Sequence, residues 1–203
     1  MKNAGSYGLA FAMLVAAAPG HAQDRATDPL RGVAHCFDSG EFHARSRDRL
    51  PVTSTSRMVD TSAGPAPVST ADGYRLMVYR ESAEPLVNLK VERSVAGKFD
   101  ADRTAIMRQL AAISARVKPP YKLPVETSTQ HGIDIAALNN PAIGTPGVIS
   151  LVQLFDAATG TIATANILNQ APAVREYASQ EAYDALRNRF VTALASCMAQ
   201  SAQ

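Results

Sequence analysis

The sequence lacks the motifs from which a reaction is usually recognised. Its 203 residues include only two cysteines and four histidines, and none of these forms a His-Glu-x-x-His zinc motif. There is no Gly-x-Ser-x-Gly nucleophile elbow, so a Ser–His–acid triad built on a residue such as Ser150 is unsupported. The segment Gly144–Gly147 is not a phosphate loop, because no Gly-Lys-Ser/Thr follows it. We therefore predict no cofactor and no metal ion.

The chain also lacks a strong excess of either charge. It has 20 Lys and Arg against 18 Asp and Glu, a formal net charge of +2. Domains that bind nucleic acids normally carry a large basic excess, so we expect no nucleic-acid partner. The run of Arg45, Arg47, Arg49 and Arg57 could contact anionic lipid or polysaccharide. No amphipathic or aromatic face accompanies it, and we interpret it as a solvated linker.

The one long apolar run stands at the start of the chain and is typical of a secretory signal peptide. Lys2 precedes the apolar stretch Leu9–Ala18, and small residues follow up to Ala22. The run is too short to span a bilayer, and no later run approaches that length. Cleavage after residues 1–22 leaves residues 23–203 without a transmembrane segment. We expect this product in a bacterial periplasm, with full secretion as the alternative.

Cys36 and Cys197 stand near opposite ends of the predicted mature chain. An even number of cysteines in an exported protein favours a disulfide. The chain-entropy model gives a bridge across so long a loop a stabilisation of up to about 5 kcal/mol. A reactive thiol or a metal ligand is the alternative, but Cys197 falls on an apolar helical stripe without an activating partner. We therefore predict a structural disulfide.

Two hairpins are the clearest strand patterns. Tyr74–Arg80 and Leu86–Arg93 are rich in β-forming residues, and the second alternates between apolar and polar side chains. The pair Val148–Asp156 and Thr161–Leu168 flanks a turn in which Gly160 supplies a positive φ. A weaker strand is predicted at 132–138.

A helix is predicted after each hairpin, so the order strand, strand, helix occurs twice. The first helix has Asp100 or Asp102 as its cap and ends before Pro119. The second begins after Ser179 and runs to about Met198. Each has one apolar face, formed by Ile106, Leu110, Ile113 and Val117 in the first and by Tyr183, Leu186, Phe190, Leu194 and Cys197 in the second.

The economical arrangement of these elements is a single two-layer α+β domain. We predict an antiparallel sheet of four to six strands with both long helices on one face, and a mixed sheet is the alternative. A short helix after Asp28 would carry Cys36. Residues 51–73 are rich in Pro, Ser, Thr and Ala, and we interpret them mostly as a loop, with only Arg57-Met58-Val59 suggesting a strand.

The densest cluster of reactive side chains is the segment His35–His43. His35, Asp38, Glu41 and His43 are ligand types that zinc accepts, but Ser39-Gly40 is expected to break the helix between the histidines. A helix end with polar side chains in solvent is the simpler interpretation. The remaining weak candidate is His131, which precedes a strand in which Asp134 points to the opposite face.

We recognise no family signature, and two hypotheses about function follow. The first is an exported accessory domain without catalytic activity, which binds a small ligand or an envelope protein through its sheet face, a hairpin edge or the loop at 51–73. The second is a small metal- or thiol-dependent hydrolase that uses the His35–His43 segment with Cys36 reduced. The first explains the missing motifs, although active sites also assemble from distant positions.

Overall fold

The computed structural model describes residues 28–50, 57–118, 122–140 and 147–202. The predicted signal peptide and its cleavage site lie outside these residues. The three helices are α1 (Pro29–Ala34), α2 (Phe99–Ala115) and α3 (Gln180–Ser201). The strands are β1 (His43–Arg49), β2 (Arg57–Thr61), β3 (Gly64–Val68), β4 (Asp72–Tyr79), β5 (Val87–Arg93), β6 (Val125–Gln130), β7 (Ile133–Asn139), β8 (Gly147–Asp156) and β9 (Thr161–Asn169).

Seven of the strands form one sheet in the order β1-β4-β5-β9-β8-β7-β6, and β2 and β3 form a separate hairpin. Every strand pair in the described residues is antiparallel. The α+β class and the antiparallel pairing are therefore confirmed. The prediction of four to six strands is wrong, because the sheet contains two edge strands that the sequence analysis does not identify.

Both predicted hairpins are confirmed, and they form the middle of the sheet. In the second hairpin Gly160 has a φ of +66°, as its turn requires. Leu89 of β5 pairs with Leu76 of β4 on one side and with Ala165 of β9 on the other. All three side chains are buried, so alternation along β5 places its apolar residues on one face.

That apolar face, here called the first face, packs against α1 and α3. Phe37 stacks on Phe190 of α3 with 5.3 Å between the ring centroids, and Phe42 meets the same ring edge-on. The sheet contributes a continuous set of buried side chains to this core: Leu76, Val78, Val87, Leu89, Val91, Ile135, Val152, Leu154, Ala163, Ala165 and Ile167.

The disulfide between Cys36 and Cys197 is present and joins the start of the described chain to α3, with 5.8 Å between the Cα atoms. The helix α1 lies close against the end of α3. A Cβ atom at Gly32 would stand 2.6 Å from Oγ of Ser201, so this contact requires glycine. The predicted structural disulfide is confirmed, but Cys36 lies in the turn just after α1 rather than in the helix as predicted, so the bridge joins that turn to α3 on the first face.

The opposite face of the sheet, here called the second face, packs against α2 and the β2–β3 hairpin. The apolar cluster there joins three sources: Val59 and Val68 of the hairpin, Ala105, Ile106 and Leu110 of α2, and Ala136, Leu138, Phe155 and Ile162 of the sheet. Adjacent residues of one strand, Ile135 and Ala136, thus belong to different cores. The prediction that both long helices lie on one face is wrong, because an apolar stripe does not tell which side of the sheet a helix covers.

Residues 57–68 also differ from the loop that we predict for residues 51–73. They form the β2–β3 hairpin, in which Gly64 has a φ of +102° and Thr61 Oγ1 donates a hydrogen bond to the Gly64 carbonyl. Pro65 and Pro67 lie in β3 and make its sequence look like a loop. Proline is nevertheless tolerated in a two-stranded ribbon whose edge is free.

The edge strands β1 and β6 complete the sheet. β1 contains most of the arginine run that the sequence analysis treats as a solvated linker, and it has a bulge between Ala44 and Ser46. β6 falls in what looks like a proline-rich connection. Both strands are polar, and neither contains a fully buried residue, so hydrophobic alternation does not reveal them.

The caps of the long helices differ. Ser179 Oγ accepts a hydrogen bond from the backbone N–H of Ala182, so the predicted cap of α3 is confirmed. The residue at the cap of α2 is Lys98, with no side-chain hydrogen bond, so the expected caps Asp100 and Asp102 are wrong. In the described part of the chain, no helix is both long and apolar enough to cross a membrane.

Candidate functional site

The His35–His43 segment holds most of the candidate residues, and the structure gives them separate partners. His35 Nδ1 lies 2.8 Å from Asp38 Oδ2, and the other carboxylate oxygen of Asp38 accepts a hydrogen bond from Arg47. The pKa of Asp38 lies below its ordinary value, mainly because of the hydrogen bond with His35. Desolvation acts to raise this pKa, and Arg47 acts to lower it further. A carboxylate held by two donors is a weakened base.

Glu41 and His43 face other elements. Glu41 Oε1 accepts hydrogen bonds from Arg80 Nε at 2.8 Å and from Arg189 Nη2 at 3.1 Å. Burial acts to raise the pKa of Glu41, but these two arginines outweigh it, and the pKa lies below its ordinary value. The ring of His43 stacks on Tyr79, with 6.3 Å between the centroids. Glu41 thus ties α3 to the end of β4.

Cys36 offers no thiol for chemistry, because its sulfur is bonded to Cys197. In the part of the chain that the structure describes, no group of three or more His, Cys, Asp or Glu side chains is placed to hold a metal ion. The contacts that the segment makes join α1, β1 and α3, so its role in the structure is to hold these elements together.

The other two candidates are placed apart from one another. His131 is exposed at the tip of the β6–β7 turn with a φ of 53°, next to Gly132 with a φ of 80°, the pattern of a tight hairpin turn. Asp134 pairs with Arg103 of α2 at 2.8 Å. Ser150 is 1% exposed and bonded to the hydroxyl of Tyr183, whose pKa burial raises. This serine is therefore a buried packing group.

A different cluster lies on the second face, between α2 and the edge strand β1. Strand pairing aligns its members in two rows: Asn88 stands opposite Asn166, and Lys90 stands opposite Thr164. The second row continues through Gln153 on one side of Thr164 and Arg75 on the other side of Lys90. We call these residues the central polar patch: Arg75, Asn88, Lys90, Gln153, Thr164 and Asn166.

The central polar patch ranges from buried to exposed and is open to solvent. Gln153 is 4% exposed, the side chain of Lys90 is 22% exposed, and Arg75 is exposed. Asn88 and Asn166 are half-buried. The apolar cluster beneath α2 bounds the patch at one side, so ordinary packing of the second face stops where the polar residues begin.

An ion-pair network forms the rim of the patch. Glu92 Oε2 accepts hydrogen bonds from Lys90 Nζ at 2.8 Å and from Arg57 Nη2 at 3.1 Å, and its Oε1 accepts one from Thr70. Burial is the main cause of a pKa for Lys90 below its ordinary value. Burial also acts to raise the pKa of Glu92, but the charges of Lys90 and Arg57 outweigh it, and the pKa lies below its ordinary value.

Several hydrogen-bonding groups of the patch have no partner among the described residues. Gln153 Oε1 accepts a hydrogen bond from the hydroxyl of Thr164 at 2.8 Å, and the Gln153 amide nitrogen makes no hydrogen bond with the residues that the structure describes. The side chains of Asn88, Asn166 and Arg75 likewise make no hydrogen bond or ion pair with the described residues. Half-buried groups of this kind are normally satisfied by water or by a ligand.

The sequence alone does not identify this patch. Alternation in β5 shows that Asn88, Lys90 and Glu92 share a face, but such residues usually face solvent. The one signal in the sequence is Gln153, a large polar residue within the mostly apolar run of β8. The residues beside it are set by the order of strands in the sheet, which the sequence does not reveal.

The chain was compared with protein-family models, with curated proteins and with solved structures. None of the three comparisons gives a match.

Proposed function

We propose that this chain is an exported binding domain without catalytic activity and that the central polar patch is its ligand site. One observation supports the proposal above all: unpartnered amides stand beside a largely buried lysine at the centre of the sheet. The asparagine amides are half-buried and reach solvent, so water satisfies them when no ligand is bound. A ligand that displaces this water finds donors and acceptors already fixed in place by the sheet.

Export is supported by the predicted signal peptide at residues 1–22 and by the disulfide, since disulfides persist in oxidising compartments. We propose the periplasm as the location and full secretion as the alternative. We propose a small ligand rather than an envelope protein, because Gln153 and the side chain of Lys90 are largely buried and only a small group reaches both of them.

The hydrolase hypothesis remains the second candidate because of one contact, that of His35 with Asp38 at 2.8 Å. It would need Cys36 reduced and the remaining candidates Glu41 and His43 brought to the same point. Stoichiometric zinc that disappears in a His43→Ala variant would favour it over the binding domain.

The proposal is tested by native mass spectrometry of the protein purified from the compartment to which its producing cell exports it. We expect a small molecule bound to the wild type and lost from the double variant Asn88→Leu/Asn166→Leu. The matched control is Asn188→Leu, which changes an exposed amide on α3 and is expected to keep the ligand. A wild type without any bound molecule, or a double variant that keeps it, would contradict the proposal.

A further inference from the structure

We propose that the ligand of the central polar patch carries an acidic group, a carboxylate or a phosphate, next to hydroxyl or amide groups. This inference depends on the proposed function and adds the chemical class of the ligand to it. The bonding groups of the patch and the charges that surround them favour this class of ligand.

The charged row offers mainly donors. Thr164 gives its hydroxyl hydrogen to Gln153 Oε1, so the N–H groups of the Gln153 amide are the part of that side chain with no partner among the described residues. Lys90 makes one ion pair, with Glu92, and an ammonium group has three hydrogens to donate. A ligand atom that reaches both Gln153 and Lys90 must therefore be an acceptor.

The charges around the patch leave a positive excess. Arg57 and Lys90 share the single carboxylate of Glu92. Arg75 forms no ion pair with the described residues, even though strand pairing places Asp48 opposite it on β1. Three cations thus stand against two carboxylates, and an anion bound beside Lys90 and Arg75 restores neutrality. Partial burial strengthens that attraction, because the surrounding dielectric is lower than in water.

The second row of the patch has a different chemistry. Asn88 and Asn166 are directly opposite one another, and each amide offers both donors and an acceptor. Such a pair suits neutral hydroxyl or amide groups better than a second charge. The ligand therefore needs an acidic group over Lys90 and neutral polar groups over the asparagines.

Three probes with the same sugar ring separate these requirements: glucose, glucuronate and glucose 6-phosphate. Each is titrated into isotope-labelled mature protein while the side-chain amide signals of Asn88, Gln153 and Asn166 are followed. We expect these signals to shift with one or both acids and to respond at least about tenfold more weakly to glucose. The tighter of the two acids identifies the group as carboxylate or phosphate.

Lys90→Met and Arg75→Met should each weaken binding of the acid, Lys90→Met by about tenfold or more, and leave the response to glucose unchanged. Lys122→Met removes an exposed lysine outside the patch and should change neither. Because Arg75 is exposed, Arg75→Met should fold normally, and it tests the inference if Lys90→Met folds poorly.

Two results would overturn the inference. Glucose that shifts the patch signals as strongly as the acids would show a neutral ligand and leave the proposed binding function intact. Signals that stay unmoved with all three probes would also overturn it, and the mass measurement of retained ligand then decides the proposed function separately.

Discussion

The two faces of the seven-stranded sheet come from the same strands, yet they are built differently. On the first face, apolar residues continue across the sheet and meet α1 and α3, and a disulfide joins the turn after α1 to α3. On the second face, α2 and the β2–β3 hairpin cover an apolar part, and beside it lies the central polar patch. A sheet of this size needs one fully covered face for its stability. The other face can therefore carry partly buried polar groups, and there we propose the ligand site.

The largest loss of stability is expected when a charged side chain replaces an apolar one on the first face. Leu89→Asp places an unpaired charge at a fully buried position, which costs several kcal/mol and rivals the whole stability of a domain. We expect no soluble folded protein, and the same for Phe190→Asp on α3. The measurement is the yield and the circular dichroism of the purified variants.

The matched control is Asn88→Asp, one residue away on the second face. Its side chain is half-buried, so we expect a folded protein with a stability change of about 1 kcal/mol or less. Equal tolerance of both substitutions would show that the faces are assigned incorrectly.

Removal of the disulfide is expected to have the next largest effect. Cys197→Ala opens a loop with a sequence separation of 161 residues, for which the chain-entropy model gives about 5 kcal/mol as an upper figure. The melting temperature should fall by roughly 10 °C under oxidising conditions, as followed by calorimetry. The reduced wild type should melt like the variant. Identical melting curves of wild type and variant under oxidising conditions would refute a stabilising bridge.

A smaller effect is expected at the rim of the polar patch. Glu92→Gln leaves Lys90 and Arg57 close together without their carboxylate, which should cost about 2 kcal/mol because Lys90 keeps some contact with water. Denaturant unfolding at neutral pH measures this difference.

The same pair of proteins tests a pH dependence. The pKa of Glu92 is lower in the folded protein than its ordinary value of 4.5. The stabilisation of the fold by ionised Glu92 is therefore complete above pH 4.5 and is lost as the pH falls through the folded pKa. The stability difference between wild type and Glu92→Gln should therefore shrink in acid. A difference that stays constant from pH 7 to pH 3 would show that the charge of Glu92 does not stabilise the fold.

The smallest effect compares the long helices of the two faces. Ser179→Ala removes the cap of α3 and should cost about 1 kcal/mol. Asp100→Ala in α2 removes no cap bond and should cost clearly less. Urea unfolding of both variants measures the two values, and a larger loss for Asp100→Ala would contradict the capping that the structure shows.

Local signals in the sequence explain which parts of the fold are predictable. The turn at Gly160 and the cap at Ser179 each depend on a few neighbouring residues, so the β8–β9 hairpin and α3 are found without the structure. The edge strands β1 and β6 are polar and carry no alternation. The side on which α2 packs depends on contacts between distant residues, which periodicity does not contain.

The candidate site is even less accessible from the sequence. Residues of the His35–His43 segment draw attention because they are close in the chain, but only His35 and Asp38 contact each other through their side chains. Asn88 and Asn166 are 78 positions apart and become neighbours only through the pairing of β5 with β9. Strand order, which is a property of the whole fold, brings the patch together.

The most direct test of the account maps the contact surface of the ligand. Ligand-free, isotope-labelled mature protein is titrated with the small-molecule extract of the cells that produce it, and its nuclear magnetic resonance spectrum is recorded. The account predicts shifts of the side-chain amide signals of Asn88, Gln153 and Asn166, with the imidazole signals of His35 and His43 unchanged. Shifts confined to the two histidines would contradict it and would place the functional site at the His35–His43 segment.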